Sequence, residues 1–88
     1  MKYQVIFTKR AAKEVKQLNK TDIPRIIEKA ESLGNDPRPE GSKKLAGSKE
    51  DLWRVRVGDY RIIYLIEEEV KIVKVTKIGH RKDAYRKK

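Results

Sequence analysis

Apolar and basic residues alternate along the stretch 52–66, and this alternation predicts a β-hairpin. From Trp53 to Val57 every second residue is apolar, which is the period of a half-buried strand. Gly58-Asp59 then supplies a two-residue turn of the Gly-first type that suits tight hairpins. If these two residues form the loop, the pairing places Arg56 directly opposite Arg61.

The predicted hairpin has two chemically different faces, because cross-strand partners point to the same side of a sheet. One face is apolar and is the predicted core side; its members are Trp53, Val55, Val57, Tyr60, Ile62 and Tyr64. The other face carries Arg54, Arg56 and Arg61. Like charges set opposite one another destabilise a sheet, by about 0.2–1 kcal/mol. The facing arginines therefore indicate a site that binds an anion.

The segment before the hairpin predicts one strand and two helices. Residues 2–7 are rich in aromatic and β-branched side chains, as strands are. Thr8 is a good N-cap for a helix over about residues 9–18. Thr21 or Asp22 caps a second helix, in which apolar residues recur at intervals of three and four. The short link between the helices predicts an antiparallel helical hairpin.

The remaining segments complete a β-α-α-β-β-β pattern. Residues 35–51 are predicted to be loop because they contain two prolines and two glycines. Residues 70–78 form the predicted last strand, with Val73 and Val75 on the core face if the preceding turn is Glu68-Glu69. Ile72, Lys74 and Thr76 then join the arginine face. The expected fold is α+β: one domain over residues 1–88, with the helical hairpin on one face of a small, mostly antiparallel sheet and a basic C-terminal tail.

The net charge of the chain narrows the possible classes of binding partner. The chain has 23 Lys and Arg against 13 Asp and Glu, a formal net charge of +10. Such an excess favours a polyanionic partner, namely nucleic acid, an acidic protein segment or anionic lipid, over an inert basic surface. The chain has no cysteine, which excludes disulfides and thiolate metal sites. No metal or cofactor is expected, and the short apolar runs predict a cytoplasmic protein without a membrane span.

Three motifs, taken in this order and at this spacing, resemble the RelE/ParE superfamily of toxins from type II toxin–antitoxin systems. They are KKLAG at residues 43–47, WRVRVGDYRIIY at residues 53–64 and IGHRKDAYR at residues 78–86. The resemblance extends over essentially the whole chain. It implies a microbial-ribonuclease-like fold and an antitoxin partner. RelE-type members cleave mRNA in the ribosomal A site, whereas ParE-type members inhibit DNA gyrase and lack the ribonuclease residues.

The resemblance also implies which residues form the active site. The matching positions are Arg54, Arg56, Arg61, Arg81 and Tyr85. Better-known RelE proteins carry lysines at the first two of these positions, so this chain departs from the family pattern there. His80 falls in a region where several relatives use a histidine.

Metal-free RNA cleavage needs a base for the 2′-hydroxyl, cations for the charge that develops on phosphorus, and a proton for the leaving oxygen. Arg56 and Arg61 suit the phosphate because guanidinium groups bind its oxygens in bidentate fashion. Tyr85 is the candidate base, since neighbouring cations favour a phenolate; its alternative role is to pack or to stack on a nucleobase. Arg81 is suited to stabilising the leaving group. His80 is chemically the better proton donor, although adjacent residues in an extended segment point to opposite sides.

Lys43, Lys44 and Lys74 are predicted to contact RNA phosphates rather than to take part in catalysis. The leading hypothesis is a RelE-type endoribonuclease that acts on ribosome-bound mRNA, with the ribosome, mRNA and a cognate antitoxin as partners. Two alternatives stay open: a ParE-type gyrase inhibitor without ribonuclease activity, and a non-catalytic module that binds RNA or the ribosome.

Overall fold

The structure is a computed structural model that describes residues 2–47 and 49–80. Its elements, in chain order, are β1 (Gln4–Phe7), α1 (Lys9–Lys16), α2 (Ile23–Ser32), β2 (Lys43–Lys44), β3 (Leu52–Val57), β4 (Tyr60–Glu67) and β5 (Ile72–His80). The five strands form one sheet in the order β1-β5-β4-β3-β2. β1 runs parallel to β5, and the other neighbours are antiparallel. The predicted α+β fold is confirmed.

Both helices pack on one face of this sheet. The core between the two layers contains Ala11 and Val15 from α1 and Ile26 and Ala30 from α2. From the sheet come the buried side chains of Val55, Ile62, Tyr64, Ile66, Val73, Val75 and Ile78. The opposite face of the sheet carries no helix in the described part of the chain. Within the same ranges, neither helix has the length and apolarity needed to cross a membrane.

The helix starts differ in how they are capped. Thr8 is the N-cap of α1, as predicted, and its hydroxyl accepts a hydrogen bond from the Ala11 amide at 3.1 Å. Asp22 occupies the N-cap position of α2, but its side chain makes no capping hydrogen bond there. Its carboxylate instead accepts a hydrogen bond from the Tyr60 hydroxyl in the hairpin.

The hairpin register is the predicted one. Val57 pairs with Tyr60, Arg56 with Arg61, and Trp53 with Tyr64. Gly58 has a φ of +58° at the first central position of the turn, which is the conformation that type II′ hairpins require of a glycine. The predicted core side is confirmed by the complete burial of Tyr64 and by the packing of Trp53 and Tyr60 against the core.

The short strand β2 and the length of the link between β4 and β5 were not predicted. Residues 43–44 were expected to be loop, but they form β2, in which Lys43 pairs with Arg54. A two-residue strand is too short to show a periodic pattern. The link between β4 and β5 covers residues 68–71 rather than 68–69. Because both lengths are even, the alternation is preserved, and Val73 and Val75 are buried as expected.

A β-bulge in β5 changes the side-chain alternation further along that strand. Tyr64 pairs with Val75 but Ile63 pairs with Lys77, so Thr76 is an extra residue on β5. Its hydroxyl donates a hydrogen bond to the Ile63 carbonyl at 3.1 Å. Beyond the bulge the faces are exchanged: Ile78 is buried, and Lys77 lies on the same face as the arginines.

Candidate active site

The open face of the sheet brings five basic residues together in neighbouring cross-strand rows. One row runs Lys43, Arg54, Ile63, Lys77, and the next runs Arg56, Arg61, Gly79. We call the five cations Lys43, Arg54, Arg56, Arg61 and Lys77 the basic face. Three of its members, the arginines, were predicted to share a face. Lys77 was missed because only the bulge at Thr76 turns it toward the arginines.

Arg61 lies at the centre of the basic face. It is on β4, between Arg56 on β3 and Gly79 on β5. Its side chain is partly buried, and its Nε atom is fully so. A Cβ atom built on Gly79 would meet no heavy atom of the described residues within 4 Å. The base of the Arg61 side chain is therefore enclosed by the sheet, and Gly79 leaves open space beside it.

Ion pairing separates the basic residues into two groups. At the far end of the sheet, Lys44 lies 3.5 Å from Asp51, and Lys74 lies 3.8 Å from Glu67. By contrast, Arg54, Arg56, Lys43 and Lys77 have no carboxylate within ion-pair distance among residues 2–47 and 49–80. Of the lysines predicted to bind RNA, only Lys43 both joins the basic face and has its charge available.

The far end of the sheet is closed by a polar network. Arg38 pairs with Glu68 and Asp51 and lies over the Trp53 ring, 5.4 Å from its centroid. Hydrogen bonds from Tyr3 and Arg38 lower the pKa of Glu68. Arg38, Lys44 and Lys74 at this end of the sheet are thus paired with carboxylates, whereas Lys43, Arg54, Arg56 and Lys77 on the basic face are not paired within the described residues.

His80 is not on the basic face. It pairs with Tyr60 at the end of β5, on the side of the sheet that the helices cover. The two rings meet edge to face, with centroids 5.1 Å apart. The structure therefore places His80 and Arg61 on opposite faces of the sheet. This separation follows from the alternation of side chains along β5, because Gly79 is the residue paired with Arg61. Arg81 and Tyr85 lie outside the described residues.

The arrangement suits one phosphate group well. Directly paired positions on adjacent strands carry two guanidinium groups on the same face of the sheet, and each has five N–H donors. Strands fix their backbones, so little reorganisation is needed when charge develops on a ligand there. No cluster of three or more candidate metal ligands occurs in the described ranges.

Comparison with known proteins agrees with this architecture. A family model described as the ParE toxin of the type II toxin–antitoxin system parDE matches residues 5–85. The chain belongs to the RelE/ParE superfamily of type II toxins. Among curated RelE/ParE relatives, the chain is 34% identical to "Putative toxin RelE1" of Methanocaldococcus jannaschii, with 98% of each chain covered. It is 31% identical to "Toxin RelG" of Mycobacterium tuberculosis, over 99% of this chain and 100% of the relative.

Solved structures give the same family. The fold is similar to that in the archaeal RelE–RelB complex from Pyrococcus horikoshii, with a TM-score of 0.80 and 34% identity over 92% of this chain and 97% of that one. It is also similar to the toxin–antitoxin complex RelBE2 of Mycobacterium tuberculosis, with a TM-score of 0.83 and 27% identity over 92% and 93% of the two chains. The predicted RelE-like toxin is confirmed.

Proposed function

We propose that this toxin is a metal-independent endoribonuclease that cleaves mRNA in the ribosomal A site and so inhibits translation. The observation that carries the proposal is the Arg56–Arg61 pair, which faces an open sheet surface across directly paired positions. A pair of like charges at such a position costs folding stability. An anionic ligand offsets that cost, and the phosphodiester of RNA is an anion that both guanidinium groups can bind at once.

The proposed reaction is attack of a ribose 2′-oxygen on the adjacent phosphorus. The bond from phosphorus to the 5′-oxygen breaks, which gives a 2′,3′-cyclic phosphate and a 5′-hydroxyl. Arg61 and Arg56 bind the non-bridging oxygens and stabilise the additional negative charge of the transition state. In this proposal the phenolate of Tyr85 accepts the 2′-hydroxyl proton, and Arg81 stabilises the departing 5′-oxygen, which takes its proton from solvent water. The position of His80 on the helix-covered side argues against it as the proton donor.

The rest of the basic face is proposed to hold the RNA strand and ribosomal RNA. Arg54, Lys43 and Lys77 extend the positive surface away from the Arg56–Arg61 pair. Phosphate contacts of this kind set position and affinity rather than sequence preference. Because ribosome-bound mRNA is cytoplasmic, we propose a cytoplasmic location for the toxin. A cognate antitoxin is proposed as its other partner, because the related toxins from Pyrococcus horikoshii and Mycobacterium tuberculosis were solved in complex with antitoxins.

The experiment is induced expression in a bacterial host, followed by mapping of mRNA 5′ ends. Wild-type toxin is expected to stop growth and to produce new 5′-hydroxyl ends within translated reading frames. Arg61→Ala should lose both effects. Arg10→Ala is the matched control, because Arg10 is an exposed arginine of α1 that pairs with Glu14. Equal growth arrest and equal cut ends with Arg61→Ala would refute the proposal.

One alternative has its own support. The matching family model carries the ParE description, and ParE-type toxins inhibit DNA gyrase. Supercoiling assays with purified toxin separate the two functions. The ribonuclease proposal predicts unchanged supercoiling, whereas gyrase inhibition with intact cellular RNA would establish the alternative.

A further inference from the structure

The tip of the arginine hairpin is supported by a neighbouring strand on one side only: β5 pairs with β4 as far as Tyr60, whereas β3 is an edge strand there among the described residues. β2 covers β3 only as far as Arg54, so the outer edge of β3 at Arg56 and Val57 extends beyond it. Arg56 and Arg61 form the second residue pair from the turn. Their mutual repulsion acts to separate the strands at the position where the proposed function needs them close together.

On the helix-covered side of the sheet, polar groups at the start of α2 also contact the tip. The Tyr60 hydroxyl donates a hydrogen bond to Oδ2 of Asp22 at 2.9 Å. The other carboxylate oxygen, Oδ1, lies 3.7 Å from Nη1 of Arg25. A Cβ built on Gly58 would lie only 2.9 Å from Nη2 of Arg25, so this guanidinium lies directly against the turn. Asp22 thus links Tyr60 on the strand to Arg25 beneath the turn.

The Asp22 carboxylate makes these contacts in place of a capping hydrogen bond to the backbone of α2. It occupies the N-cap of α2, where an aspartate ordinarily accepts a hydrogen bond from its own helix, yet its side chain makes no such bond. It reaches instead to a residue 38 positions along the chain. A polar cleft of about 270 Å³ lies between α2 and the turn. The tip is therefore held to the start of α2 by these polar contacts, in addition to the packing of Val57 and Tyr60 against the core.

The Tyr60 hydroxyl is a stable donor in this linkage. Its hydrogen bond to Asp22, together with burial, raises the pKa of Tyr60. The hydroxyl consequently keeps its proton throughout the neutral range and remains bonded to the carboxylate.

We propose that Asp22 and Tyr60 are positioning residues, which hold the hairpin tip so that Arg56 and Arg61 converge on one phosphate. Neither residue touches the RNA in this proposal. Tyr60 points to the helix side of the sheet, and its neighbour Arg61 points to the open side. The inference rests on the proposed function for its activity readout. It also makes a prediction about arginine geometry that does not depend on cleavage.

The test compares Tyr60→Phe and Asp22→Ala with a matched control, Tyr3→Phe. Tyr3 also donates its hydroxyl to a carboxylate, Oε1 of Glu68 at 2.6 Å, but at the other end of the sheet. The two Phe variants therefore remove the same kind of bond. Asp22→Asn serves as the conservative variant, because its amide oxygen can still accept the hydrogen bond from Tyr60.

The first readout is the single-turnover rate of cleavage of ribosome-bound mRNA, measured beside RNA affinity and the thermal midpoint. Tyr60→Phe and Asp22→Ala should each lower the rate by about 10- to 100-fold, as expected when a reacting group is misplaced by about 1 Å. Their double variant should lose no more than either single one, because both changes break one linkage. Asp22→Asn should recover most of the rate. Tyr3→Phe should cleave at the wild-type rate, although its thermal midpoint should fall about as far as that of Tyr60→Phe.

The second readout is the NMR signal of the arginine Nε–Hε groups, with inorganic phosphate as the probe. Tyr60→Phe and Asp22→Ala should shift the Arg56 and Arg61 signals and weaken their response to phosphate, and Tyr3→Phe should not. Unchanged arginine signals, or a Tyr60→Phe cleavage rate equal to that of Tyr3→Phe, would overturn the inference. A wild-type protein that cuts no RNA but shows the predicted NMR shifts would overturn the proposed function and leave the positioning role established.

Discussion

Arg56 lies directly opposite Arg61 across the β3–β4 pair, on the face of the sheet that no described helix covers. Opposed cations at paired strand positions work against folding, while two convergent guanidinium groups favour a bound phosphate. The same feature therefore has opposite effects on stability and on ligand binding, and this opposition can be measured.

Replacing one member of the pair should stabilise the free protein. Arg56→Gln removes the repulsion while keeping a long polar side chain, so the free energy of unfolding should rise by about 0.2–1 kcal/mol at low salt. Urea denaturation measures this change, and added salt should reduce it by screening. RNA binding by the same variant should weaken. A variant that is less stable than wild type at low salt would contradict the proposed repulsion.

The lysines should differ in their contribution to RNA binding according to their ion pairs. Lys43→Ala and Lys77→Ala each remove an available charge from the basic face, so RNA affinity should fall. The slope of the logarithm of affinity against the logarithm of salt concentration should become shallower by about one. Lys74→Ala is the matched control, because Lys74 lies 3.8 Å from Glu67. Fluorescence titration of a labelled RNA at several salt concentrations makes the comparison. Equal losses for all three lysines would show that ion pairing does not select the binding residues.

Tyr64 should make stability depend on alkaline pH. Its side chain is fully buried, and its hydroxyl donates a hydrogen bond to the Pro37 carbonyl at 2.7 Å. Burial raises the pKa of Tyr64 to about 12. The folded state therefore holds this proton more tightly than the unfolded chain, whose tyrosine ionises near pH 10. The contribution is complete below pH 10 and is lost as the pH rises toward 12.

Tyr64→Phe tests that assignment. It removes the titrating group, so the alkaline loss of stability should become smaller. It also removes the hydrogen bond, so the free energy of unfolding at neutral pH should fall by about 1 kcal/mol. Chemical denaturation of both proteins at a series of pH values measures the two effects. The assignment to Tyr64 fails if the variant shows the same alkaline loss as wild type.

The hairpin and its two faces were predictable from sequence because local rules govern them. Strict alternation fixes the faces, and a Gly-first turn of two residues fixes the register, so the pairing of Arg56 with Arg61 follows from residues 53–64 alone. The burial of Val73 and Val75 also followed, since a turn of four residues preserves the alternation of a turn of two.

Features that depend on distant contacts were not predictable in the same way. Lys77 joins the basic face only because Thr76 forms a bulge opposite β4, and nothing in the local pattern marks that residue. β2 exists because β3 offers an edge to Lys43 and Lys44. The hydrogen bond between Tyr60 and Asp22 was equally hidden, since an aspartate at a helix start predicts a local cap.

The most direct test of the proposed ribonuclease function is cleavage of a defined mRNA on purified translating ribosomes by wild-type toxin, Arg61→Ala and Arg10→Ala. The chemistry of the RNA ends and the single-turnover rate are both measured. We expect 2′,3′-cyclic phosphate and 5′-hydroxyl ends with wild type and Arg10→Ala, and a rate about 100- to 1,000-fold lower with Arg61→Ala, as for loss of a transition-state donor. Equal rates for Arg61→Ala and wild type, or uncut mRNA with the wild-type toxin, would contradict the proposed function.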